Sequence, residues 1–72
     1  MTDAPQRWLQ PDGAPIACRE KLRTLAENHA EAAQVLQDAF EDAVLMGVDE
    51  QAMRAILAGL VDGLRSPKAP RQ

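Results

Sequence analysis

Apolar and small residues recur along the middle of the chain at intervals that alternate between four and three residues. No glycine or proline interrupts the segment from residue 16 to residue 46. Such spacing places its members on one face of an α-helix, and a repeat held for about four heptads is typical of a helix that packs along its whole length. We therefore predict a first helix over about 16–46. Its apolar face comprises Cys18, Leu22, Leu25, His29, Ala32, Leu36, Ala39, Ala43 and Met46.

The stretch LMGVDEQAM, residues 45–53, predicts a break between two helices. Gly47 can take the left-handed conformation that ends a helix. The Asp49 carboxylate can accept hydrogen bonds from the free N–H groups at the start of the next helix. We predict that this second helix covers about 50–65 and ends at Ser66-Pro67, because the residue before a proline is driven out of helical geometry. Its predicted buried residues are Met53, Ile56, Leu57, Leu60 and Leu64, with Val61 at the margin.

Gly59 and Gly63 lie one turn apart inside the predicted second helix. Each costs a helix about 1 kcal/mol relative to alanine. With Ala52 and Ala55 they form a strip of small residues beside the leucines. Two explanations of the strip are equally plausible from the sequence. Another backbone packs closely against it, or the chain simply tolerates glycine at these positions.

The two ends of the chain lack helical spacing. Residues 1–14 predict an extended or flexible tail with a turn at Pro-Asp-Gly, residues 11–13, since proline presets φ and glycine accepts a positive φ. Trp8 would anchor this tail on a helical surface. Residues 67–72 predict a flexible tail, which leaves the helical hairpin in residues 15–66.

Together these elements predict an all-α fold, an antiparallel αα-hairpin with one long and one short helix. At 1.5 Å per residue the first helix spans about 45 Å and the second about 24 Å. The second helix folds back from Gly47 and can pack against the first helix only as far as about Ala32. Leu22, Leu25 and the surroundings of His29 then need another cover, either the N-terminal tail or a second copy of the chain.

The charges of the first helix favour a second copy. Cations crowd its start and acids crowd its end, against the preference of the helix dipole. An antiparallel partner helix, crossing near Ala32, would set each basic end beside an acidic end. We therefore predict a homodimer that forms a four-helix bundle. The charges concerned are Arg19, Lys21 and Arg23 at the start, and Asp38, Glu41 and Asp42 at the end.

The composition and charge of the chain limit its expected location and the kinds of site that it can form. The chain has 72 residues, a net charge of −3, one cysteine and one histidine. It lacks a signal segment and any apolar run of the length that a membrane span needs, so a reducing cytoplasm is the expected location. Cys18 and His29, about 16 Å apart along a helix, cannot share a metal ion within one chain. We predict a structural or pH-sensitive interface role for His29, a buried core position for Cys18, and neither a cofactor nor a metal site.

The sequence contains no recognisable catalytic motif. Ser66 lies beside a proline and the chain has a single histidine, so a Ser/His/Asp set is not expected, and no glycine-rich phosphate loop is present. The sequence therefore predicts a cytoplasmic protein–protein interaction module that is homodimeric and is not an enzyme. Its candidate interface residues are Trp8, Leu9, Leu22, Leu25, His29, Ala32, Leu36, Gly59 and Gly63.

Two other functions stay open at this point. A small regulator of helix–turn–helix type would bind nucleic acid, although the second helix carries only Arg54 and Arg65 as cations. A metal- or redox-responsive element would use His29 or Cys18.

Overall fold

The chain is all-α in the computed structural model, which describes residues 6–68. Helix α1 covers Arg19–Leu45 and helix α2 covers Glu50–Asp62. With 27 and 13 residues, they confirm the predicted helical hairpin with one long and one short helix. In the described range neither helix has the length and apolar character of a membrane span. Contacts divide the chain into two compact units, with the boundary between Gln34 and Val35.

In the first unit, residues 8–16 reverse direction and form a small loop, which we call the N-terminal strap. The Ile16 N–H donates to the Trp8 carbonyl at 2.7 Å, and Leu9 forms an isolated antiparallel bridge with Pro15. Gly13 has a φ of 91° at the reversal, a conformation that glycine adopts without steric cost. The Asp12 carboxylate accepts from the Ala14 N–H at 2.9 Å and fixes the turn from inside.

Helix α1 begins at Arg19, three residues later than predicted. Pro15 and Ile16 belong to the strap, where they pair with Leu9 and Trp8 and so cannot be helical. The Cys18 carbonyl accepts the first helical hydrogen bond, from the Leu22 N–H at 2.9 Å. Cys18 is therefore the residue that caps the helix start.

The junction between the helices follows its sequence closely. Gly47 has a φ of 106°, as predicted for the residue that ends α1. The Gly47 N–H donates to Val44 at 3.1 Å and the Val48 N–H to Ala43 at 2.9 Å, which is the Schellman arrangement. Asp49 caps α2 as predicted, because its carboxylate accepts from the Ala52 N–H at 2.9 Å.

Helix α2 ends at Asp62, before the Ser66-Pro67 stop that the sequence indicated. Gly63, predicted to lie inside the helix, is its C-cap and donates its N–H to Gly59 at 3.0 Å. The Leu64 N–H bonds to Val61, three residues back, at 3.1 Å. Two glycines in the last turn weaken the helix enough for it to end there, ahead of the proline.

Replacing Asp49 with alanine tests the local origin of the hairpin. Loss of the bond to Ala52 leaves a free N–H at the start of α2, and loss of such a cap costs about 1 kcal/mol. We expect Asp49→Ala to lower the free energy of unfolding by that amount in urea titrations, and Asp49→Ser to retain most of it. Equal losses from both substitutions would show that the cap does not stabilise α2.

No described side chain is fully buried. In the first unit the half-buried residues are Trp8, Ile16, Leu22 and Leu25. In the second they are Ala39, Phe40, Ala43 and Val44 of α1, with Met53 and Leu57 of α2. The prediction that α2 buries Ile56, Leu60 and Leu64 is wrong for the single chain, because α1 covers only one side of α2.

Candidate interaction surfaces

The first unit brings four of the candidate interface residues together. The Trp8 ring meets the His29 ring edge-on, with centroids 5.8 Å apart and an interplanar angle of 77°. Leu22 and Leu25 are half-buried on the same stretch of α1, whereas His29 stays exposed. Such an aromatic contact is worth about 1 kcal/mol beyond the area that it buries. The strap therefore supplies a cover for the part of α1 that the sequence left without one.

Leu9 and Ala32, two further candidates in this unit, remain open to solvent. Leu9 is 56% exposed even though its backbone is held by the bridge to Pro15. Ala32 is exposed on α1. An open groove of about 510 Å³ lies beside the strap. It is lined by Ile16, Glu20, Lys21, Thr24 and Leu25.

Cys18 is a free, exposed thiol at the start of α1. The prediction that it is a buried core residue is wrong, because it precedes the first turn of α1 and no other described element covers it. Hydrogen bonds from the backbone N–H groups of Lys21 and Glu20 lower its pKa, and the Lys21 ammonium lowers it further. These donors stabilise the thiolate relative to the thiol. Among residues 6–68 no group of three or more metal-binding side chains comes together around it or elsewhere.

The thiol should react with alkylating reagents at a lower pH than an unfolded cysteine does. A depressed pKa raises the thiolate fraction below the usual titration range, and the thiolate is the reactive form. We expect the pH profile of iodoacetamide modification of Cys18, followed by mass spectrometry, to move to lower pH in the folded chain than in the urea-unfolded chain. Coincident pH profiles for the folded and unfolded chains would contradict a lowered pKa of Cys18 at the start of α1.

The second unit carries a large apolar surface. Of the ten large hydrophobic residues that are exposed in the described chain, all but Leu9 and Val35 lie between residues 36 and 64. Their exposed fractions run from 37% for Leu36 to 85% for Leu45. Single exposed leucines are ordinary on a protein surface, but eight large apolar side chains exposed within 29 residues are typical of an interaction site. The eight are Leu36, Leu45, Met46, Val48, Ile56, Leu60, Val61 and Leu64.

Within this surface, α2 presents a side that does not meet α1, and we call it the free face of α2. Its residues recur at helical intervals, and its two large side chains, Ile56 and Leu60, are 58% and 61% exposed. The two candidate glycines both lie on it. The free face comprises Ala52, Ile56, Gly59, Leu60 and Gly63, all exposed.

The glycines of the free face are not required by the chain's own packing. A Cβ at Gly59 would meet nothing within 4 Å. Gly63 has a φ of −87°, open to any residue, and a Cβ there would only touch helix carbonyls at ordinary contact distance. Alanine at Gly59 would favour the helix by about 1 kcal/mol. The single chain thus gives no reason for this glycine.

One cation of α2 is already engaged inside the hairpin. The Arg54 guanidinium lies over the Phe40 ring, 4.7 Å from its centroid, a contact worth about 0.5–1 kcal/mol at an exposed site. It joins α2 to α1. A helix that reads nucleic acid presents several free cations, so this contact weighs against recognition of nucleic acid by α2.

The candidate interface residues taken from the sequence did not include Leu45, Met46 or the large exposed side chains of α2. Leu45 and Met46 are 85% and 82% exposed at the end of the hairpin where the helices join. The sequence does indicate the exposure of α2, because the apolar positions of α2 span a wide arc of the helix. Six large apolar positions cover a wider arc of α2 than one neighbouring helix can shield.

Comparison with known proteins adds no functional assignment. No family model matches the chain, and no curated protein or solved structure is significantly similar to it.

Proposed function

We propose that the protein is a small helical protein–protein interaction module that works as a homodimer and is not an enzyme. The observation that carries this proposal is the exposed apolar surface of residues 36–64, with eight large side chains. Water-exposed surface of this kind is stabilised when a partner covers it, by about 25 cal/mol for each Å² of apolar area removed from water. A module with such a surface acts through binding.

Two hairpins joined through this surface form a four-helix assembly. A lone helical hairpin has no interior, since each helix meets only one other. A second hairpin gives α2 a second neighbour and turns its exposed leucines and isoleucine into a core. The exposed free thiol of Cys18 fits a reducing compartment, so we place the protein in the cytoplasm.

Sedimentation equilibrium over a 100-fold range of concentration tests the proposal. We expect a mass of two chains at micromolar concentration and dissociation toward one chain on dilution. A mass of 7.9 kDa throughout the range would overturn the homodimer.

A further inference from the structure

The free face of α2 has a spacing that suits contact with another helix. Ala52, Ile56, Gly59 and Gly63 follow at intervals of four, three and four residues, which is the repeat of helices that pack side by side. Met53 and Leu57, which lie toward α1, are half-buried. The free face therefore lies beside the α1 contact and is open to a second helix.

The charge changes sign between the start of α2 and the segment that follows the helix. Asp49 and Glu50 stand at the start, and Arg65 and Lys68 follow the end, although the last turn itself holds Asp62 and no cation. A parallel copy would set like charges side by side. An antiparallel copy sets the acidic start of each α2 beside the basic segment that follows the other.

One antiparallel register suits the sizes of the side chains on the free face. When Ile56 lies opposite Gly59 of a second copy, Ala52 lies opposite Gly63. The β-branched Ile56 of each copy then faces a glycine of the other. The two-fold axis passes between Leu57 and Ala58, so both copies use the same face, as a symmetric dimer requires.

We propose that the free face of α2 binds the free face of α2 in a second copy, antiparallel and in this register. The inference rests on the proposed homodimer and names its contact. It explains why Gly59 lacks a side chain where the single chain has room for one. It also moves the dimer contact from the crossing of the long helices near Ala32, which the sequence predicted, to α2.

Single cysteines placed in a Cys18→Ser background test the register by disulfide formation under mild oxidation. Ile56→Cys lies on the free face close to the axis, so most of the protein should cross-link to itself. Ala58→Cys is even closer to the axis along the helix but points away from the face, and it should cross-link little. Ala32→Cys reports on the alternative crossing of two α1 helices, and it should also cross-link little.

A bulky side chain at Gly59 provides a second readout that does not depend on oxidation. Gly59→Leu has open space in the single chain and is a better helix former, so helicity by circular dichroism should be kept or increased. Its dimer dissociation constant should rise at least about 10-fold, because the leucine collides with Ile56 of the second copy. The matched control, Ala58→Leu, should change the constant less than about 3-fold.

The outcomes separate the two proposals. A wild-type protein that is monomeric at all concentrations removes both. A dimer that cross-links through Ala32→Cys but not Ile56→Cys, or that tolerates Gly59→Leu, overturns the α2 register and leaves the homodimer standing.

Discussion

Replacing Leu60 with glutamate should convert the protein to a monomer at concentrations where the wild type is dimeric. Leu60 is 61% exposed in the single chain, so the carboxylate meets water there and the hairpin has no reason to unfold. In the dimer the same carboxylate would be enclosed without a partner. Burying an unpaired charge costs several kcal/mol, and the leucine's burial, worth about 2 kcal/mol, is lost as well.

We expect the dissociation constant of Leu60→Glu to rise at least about 100-fold, equivalent to about 2.7 kcal/mol. Sedimentation equilibrium measures the constant, and circular dichroism shows whether the helices persist. Val35→Glu is the matched control, since Val35 is 66% exposed and belongs to α1, not to the free face of α2. If both substitutions weakened association equally, the effect would come from added charge alone and the α2 contact would be refuted.

Removing the Trp8 side chain should loosen the first unit while leaving the hairpin of the second unit intact. Trp8 is half-buried, and its ring contacts His29 at 5.8 Å. Truncation of a fully buried tryptophan costs about 3–5 kcal/mol, so about 2 kcal/mol is expected at half burial. The strap then loses its anchor, and Leu22 and Leu25 lose their cover.

Amide hydrogen exchange followed residue by residue measures this effect. Trp8→Ala should speed exchange over residues 19–30 of α1 and leave residues 50–62 of α2 unchanged. The control is Leu9→Ala in the same strap. The Leu9 side chain is already 56% exposed, so its removal should speed exchange in α1 much less than Trp8→Ala does. Similar acceleration by both variants would contradict an anchoring role for Trp8.

The local structure of the hairpin could be predicted from the sequence because neighbouring residues determine it. Gly47 ends α1 with a positive φ, and Asp49 caps α2 through Ala52, in each case through contacts within a few residues. The start of α1 could not be placed as well. Whether Pro15 joins a helix or a bridge to Leu9 depends on the return of the chain at Gly13, which the periodicity of α1 does not report.

The surface was harder to predict than the helices. A run of apolar residues at helical spacing shows which side of α2 avoids water, but it does not show what covers that side. The sequence predicts buried positions for Ile56, Leu60 and Leu64, whereas the single chain leaves each more than half exposed. For Leu22 and Leu25 the sequence left two covers open, the N-terminal tail or a second copy, and both leucines are half-buried in the unit that holds the strap.

If a second copy covers the apolar surface of residues 36–64, thermal unfolding must depend on the concentration of the chain. Unfolding coupled to dissociation becomes less favourable as the chain becomes more concentrated. A 100-fold increase should raise the midpoint by roughly 5–10 °C for two chains of this length. A midpoint that stays constant over the same range would mean that the protein unfolds as a single chain, with its apolar surface left in water.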